Sequence, residues 1–116
     1  MLGRRVISKQ TAQRIILKAI RQEVLILTED EDTAQDIRTD IKGFIKVNMS
    51  FDLKVFVETD GVKTRFMNYI YVMPLYRWNY EKRRKFGGLV LVEDEEMKPE
   101  YIADGVKICR LPTVGV

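Results

Sequence analysis

Between Ala12 and Leu27 the apolar residues Ala12, Ile15, Ile16, Ala19, Ile20, Val24 and Leu27 recur at three- and four-residue steps, the period of one helix face. The spacing predicts a first helix from about Lys9 to Leu27, with Ser8 before it as an N-cap whose hydroxyl accepts from an otherwise unpaired backbone N–H. Lys9, Gln13, Arg14, Lys18, Arg21 and Gln22 fall on the opposite, wet face. A second helix is predicted to open on Thr28 and Glu31 as a capping box. Glu29, Asp30 and Glu31 then sit at the positive end of its dipole, Lys42 at the negative end, and Gly43 stops it. Ala34, Ile37 and Ile41 form its buried stripe.

The period then changes from helical to twofold. At Ile45, Val47, Met49, Phe51, Leu53, Val55 and Val57 every odd position is apolar, while the intervening positions are polar except for Phe56. This alternation predicts a long half-buried strand, and Asp60-Gly61 supplies a two-residue hairpin signal. Pairing Thr59 with Val62 sets Phe51 opposite Ile70 and Met49 opposite Val72 on one face. The other face then joins Glu58 to Lys63 and Phe56 to Arg65, a charge pair and a cation–π pair. Pro74 ends the second arm. A third strand follows at Leu89–Val92, a short helical piece near Pro99–Ala103 and a last strand from Val106 to Leu111.

These elements define an α+β fold: two N-terminal helices packed on an antiparallel sheet built around a long β-hairpin. One domain, residues 1–116, accommodates it, with a helical part at 9–42, an antiparallel β part at 44–111 and an apolar, uncharged tail at 112–116.

Charge adds a second layer of pattern. The net charge is only +3, but it is laid out in blocks. Residues 1–27 hold six Lys/Arg and one acid, whereas residues 28–40 hold six acids and one Arg. Residues 61–87 return to seven Lys/Arg against one acid, and residues 88–116 to six acids against three bases. Alternating blocks suit self-complementary or partner surfaces at least as well as a uniform nucleic-acid face. The first 22 residues are basic, acid-free and amphipathic, as in a mitochondrial transit peptide, but an ordinary first helix is the better reading. No run approaches the roughly 18 apolar residues of a membrane span, and the single Cys109 allows no internal disulfide. The expectation is a chain that is not secreted, has no membrane partner and lies in the cytoplasm or within a virion.

Catalytic equipment is sparse. The chain has no histidine, which removes the commonest general base and any Ser-His or Cys-His nucleophile. Cys109 reads as a buried thiol. Asp30, Asp32 and Asp36 imitate a calcium loop, but Ala34 stands at a ligand position and Gln35 where glycine is needed. Glu93-Asp94-Glu95-Glu96 reads as a solvated turn. Asp52-Leu53-Lys54 and Glu96-Met97-Lys98 have the acid-x-Lys spelling of metal-dependent nucleases, a spacing that chance alone supplies in a chain this charged. No catalytic residue, metal site or cofactor is expected.

What remains is binding. Tyr76, Arg77, Trp78, Tyr80, Lys82, Arg83, Arg84, Lys85 and Phe86 interleave four aromatic rings with five cations, and Tyr69 and Tyr71 precede them on the outer face of the second arm. Such residues stack on bases while neutralising phosphates, or they anchor a protein interface. The leading expectation is a non-enzymatic subunit of a larger protein assembly, with other protein subunits or copies of itself as partners. Phage or virus particles, including head-to-tail connector rings, are a setting for such a subunit. A single-stranded DNA or RNA binder is the first alternative, a metal-dependent nuclease the second.

Overall fold

The computed structural model of the chain describes residues 4–48, 60–81 and 85–114. It is a mixed α and β fold with three helices and a five-stranded mixed sheet. Helix α1 spans Lys9–Arg21 and strand β1 Val24–Thr28; helix α2 spans Glu31–Asn48. Strands β2 (Gly61–Val62) and β3 (Ile70–Pro74) follow, then helix α3 (Leu75–Tyr80) and strands β4 (Leu89–Val92) and β5 (Ile108–Arg110). The sheet order is β2-β3-β1-β4-β5. Strands β3, β1, β4 and β5 are mutually parallel, and only β2 runs antiparallel, to β3.

The expected antiparallel sheet is therefore replaced by a largely parallel one, and the cause lies in β1. The first helix stops at Arg21 because Gln22 turns to extended backbone, φ −157° and ψ 161°. Val24-Leu25-Ile26-Leu27-Thr28 is a strand in which all five residues are buried, as a strand covered on both faces must be. With β1 central, α2 becomes the crossover to its parallel neighbour β3, the connection that parallel pairing requires. The described residues do not carry the expected hairpin register. Ile45–Asn48 belongs to α2, residues 49–59 lie outside the described residues, and the antiparallel partner of Ile70 is Val62. Residues 99–103 form no helix; Ile102 instead bridges Phe86.

Each face of the sheet buries its own core. On one face Val24, Ile26, Ile70, Val72 and Leu91 meet Ala12, Ile15, Ile16 and Ala19 of α1 and Ala34, Ile37, Ile41 and Ile45 of α2. On the other, Leu25, Leu27, Met73, Val90 and Val92 meet Trp78 and Phe86. The N-terminal segment is held by a buried carboxylate: Val6 N and Ile7 N donate to Asp40 Oδ2 at 2.8 and 3.1 Å. At the other end of the chain Val114 N donates to Val6 O.

Ser8 caps α1 as expected, accepting from Thr11 N at 3.1 Å. For α2 the capping box is replaced by Asp30, whose Oδ1 accepts from Thr33 N at 2.7 Å, while the Thr28 hydroxyl donates to Asp30 O. Gly43 does not end the helix; its missing side chain faces open space. The hydrogen bond from the Thr33 N–H, then the Thr33 hydroxyl, holds the Asp30 carboxyl below its usual range. A depressed folded-state value stabilises above the ordinary carboxylate pKa and is lost as pH falls through the folded value. Asp30→Ala is therefore expected to lower stability by about 1 kcal/mol at neutral pH. In urea titrations that difference should shrink as pH falls below the ordinary carboxylate range, because the carboxylate then begins to protonate in the folded state as well.

Candidate functional site

A parallel sheet gathers the loops after its strands at one end, and ligands of such sheets bind where the strand order reverses. Here the chain leaves β1 for β3 on one side and later crosses to β4 on the other. The loops after β1, β3 and β4 therefore meet. Glu29 N donates to Glu93 Oε1 at 2.9 Å, which ties the first of these loops to the third. Between them lies a pocket of about 390 Å³ lined by Glu29, Leu75, Tyr76, Asp94, Glu96, Met97 and Lys98. A second hollow of about 350 Å³ adjoins it through Met97 and Lys98 and reaches Ile108 and Arg110 of β5.

Helix α3 carries the aromatic part of this end. Pro74 ends β3 and enters the helix at φ −69° and ψ 148°, since proline fixes the torsion a first turn needs and forms no ladder bond. Over its six residues Leu75 and Trp78 turn toward the second core. Tyr76 and Tyr80, four apart and so on one side of the helix, stay 64 % and 86 % exposed.

The structure divides the predicted binding residues into distinct groups. Tyr76 and Tyr80 stand in solvent. Trp78 does not: it is buried, donates its indole N–H to Glu100 O at 2.7 Å, and meets Phe86 edge-on at 5.9 Å. Tyr69 and Tyr71 are half-buried and pack on each other, with ring centroids 4.5 Å apart and planes tilted by 33°. Tyr71 also meets the Phe86 edge, so this pair belongs to the flank of the second core. Arg77 pairs with Glu31 at 3.4 Å and with Asp60 at 3.8 Å. Lys85 is exposed. Lys82, Arg83 and Arg84 lie outside the described residues.

The acidic rim is the component that the sequence reading left out. By sequence Glu29 belongs to a helix start and Asp94 and Glu96 to a solvated turn, yet all three border the pocket that Tyr76 lines. A signal for them exists: Leu25-Ile26-Leu27-Thr28-Glu29-Asp30 and Leu89-Val90-Leu91-Val92-Glu93-Asp94 spell the same pattern of strand followed by two acids. Among the described residues, Glu29, Asp32, Asp94 and Glu96 take part in no ion pair. Among them, too, no three acidic or cysteine side chains converge as a set of metal ligands. Asp36 of the supposed calcium loop pairs with Arg4, and Asp30 is spent on the helix cap. No helix of the described residues is long and apolar enough to cross a membrane. Comparison of the chain with protein-family models, with curated proteins and with solved structures finds no match.

Proposed function

We propose that this chain is a non-enzymatic subunit of a larger protein assembly, and that it meets its partner through the carboxyl end of the parallel sheet. The observation that carries this reading is the pocket there, in which an exposed tyrosine stands beside three carboxylates, Glu29, Asp94 and Glu96. Tyrosines presented from a rigid helix are typical anchors of protein interfaces, because they bring large contact area at little cost in side-chain entropy. The carboxylates argue against a nucleic acid at the same place, since they would face phosphates with like charge. Three of the rings expected to stack on bases are also committed elsewhere: Trp78 to the core, and Tyr69 and Tyr71 to each other. For the nuclease alternative, Glu96 and Lys98 reach the pocket, but Asp52 and Lys54 lie outside the described residues.

A photo-reactive benzoylphenylalanine in place of Tyr76, irradiated in cells that produce the full chain, tests the reading. The expected result is a protease-sensitive protein adduct that is lost when Asp94→Lys is added. A nuclease-sensitive adduct would transfer the site to the nucleic-acid alternative. Adducts formed only from a probe at exposed Lys107, and none from position 76, would overturn the proposal.

A further inference from the structure

The two ends of the sheet differ in charge. Helix α1 runs back against the strands, so its last turn lies at their amino end, where Asn68 N donates to Ala19 O at 2.7 Å and Val24 N to Tyr69 O at 3.1 Å. Helix α2 starts just after β1 and also runs back, which brings its last residues to the same end. That end exposes Lys18, Arg21, Lys46 and Arg65. None of the four is in an ion pair among the described residues. Large apolar groups stand among them: Ile20 is 50 % exposed and Phe66 51 %, with the Arg65 guanidinium 5.9 Å from the Phe66 ring centre. The opposite end presents Glu29, Asp94 and Glu96 around the pocket that exposed Tyr76 lines, none of them in an ion pair among the described residues.

We propose that the partner docked at the carboxyl end is the basic amino end of a second copy of this chain, joined head to tail. The inference rests on the reading of the carboxyl end as the contact surface and names its occupant. Charge complementarity selects this arrangement. A twofold dimer through either end would set like charges face to face, whereas end-to-end stacking in one sense sets cations against acids. The pocket fits a cationic side chain. Three carboxylates, Glu29, Asp94 and Glu96, against the single cation Lys98 leave the lining net negative, and Leu75, Met97 and Tyr76 offer apolar surface for an aliphatic stem. The exposed Ile20 and Phe66 of the incoming copy add apolar area next to exposed Tyr76. Such a contact uses different surfaces on the two copies, so it repeats into a ring or an open filament instead of stopping at two.

Sedimentation velocity of the full chain over a concentration series tests the proposal. At about 20 mM salt the mass should rise with concentration, and at about 500 mM it should return to that of a monomer, because surface charges are screened. Asp94→Lys with Glu96→Lys, and separately Lys18→Glu with Arg21→Glu, should each weaken self-association by roughly a hundredfold or more. Lys18, Arg21 and Glu96 are exposed, so thermal melting of the Lys18/Arg21 variant should match the parent. Asp94 is half-buried and accepts from Glu96 N at 2.9 Å, so the Asp94/Glu96 variant should melt slightly lower yet stay folded at the temperature of the experiment. An equimolar mixture of the two variants should associate again, because each basic end then finds an acidic one. Continued association of the Lys18/Arg21 variant alone, or no recovery on mixing, would overturn the head-to-tail contact. So would a parent chain that stays monomeric at low salt. In that last case a photo-adduct from position 76 to a different protein would leave the assembly reading standing, and the loss of that adduct as well would remove both.

Discussion

Trp78→Ala is expected to lower the unfolding free energy by about 3–5 kcal/mol, the cost of emptying a large aromatic site in a packed core. The indole is 2 % exposed, its N–H donates to Glu100 O at 2.7 Å, and its plane meets Phe86 at 89°. Phe86 in turn receives Ala103 N on its carbonyl and donates its own N–H to Tyr101 O. The tryptophan thus fastens α3 to the segment that covers the second face of the sheet. Trp78→Phe keeps most of the ring contact and gives up the hydrogen bond, a loss of about 1 kcal/mol. Tyr80→Ala, at a position 86 % exposed, should fall within about 0.5 kcal/mol of the parent. Urea unfolding followed by circular dichroism measures all three. A Trp78→Ala chain that matches the parent in stability but fails to self-associate would make Trp78 a contact residue and refute its assignment to the core.

That assignment also marks where the sequence was readable and where it was not. The cluster Tyr76–Phe86 stands out in the sequence as a block of rings and cations, and reading it as one surface ignores the helix that forms there. Once Leu75–Tyr80 is helical, residues 75 and 78 share the inward side and residues 76 and 80 the outward one. The single tryptophan therefore belongs to the molecule's interior and only the tyrosines to its surface. The strand at Leu89–Val92 was legible, because a short apolar run after Gly87-Gly88 has no competing helical period. Gly88 also serves close packing there: a Cβ on it would lie 2.2 Å from Glu23 O.

The strand β1 was not legible, and the sheet direction went with it. Val24 and Leu27 continue the three- and four-residue steps of α1, and a fully buried parallel strand has no polar alternation to oppose that reading. The only break is the polar pair Gln22-Glu23. Without β1 there is no crossover, so the remaining strands could be joined only as hairpins. The alternation at Ile45, Val47 and beyond pointed the same way, yet Ile41 and Ile45 are also a helical i,i+4 pair and both are fully buried in α2, while Val47 is 79 % exposed. The acidic rim of the pocket depends on the same strand. Glu29 and Asp94 lie 65 positions apart in the chain, and only the parallel pairing of β1 with β4 brings their loops together.

The crossover from β1 to β3 through α2 also has an electrostatic consequence, measurable as stability. Arg38, in the middle of α2, has a side chain only 5 % exposed and donates to Val72 O of β3 at 2.6 Å and to Glu31 at 2.6 Å. Glu31 lies at the start of the same helix and also pairs with Arg77 of α3, which reaches Asp60. One buried guanidinium thereby connects α2 to β3 and, through Glu31, to α3. Arg38→Ala removes the partner of a carboxylate and of a β3 carbonyl together, and is expected to cost about 3–5 kcal/mol. Arg38→Met fills the space without the charge, and adding Glu31→Gln removes the carboxylate that would otherwise lose its closest partner. That pair of changes should recover part of the loss, because replacing both members of an ion pair with one buried partner is milder than stranding the other. Denaturant unfolding of the three variants gives the comparison. A loss below about 1 kcal/mol for Arg38→Ala would show that water reaches this network freely and that α2 is held to the sheet by its apolar stripe alone.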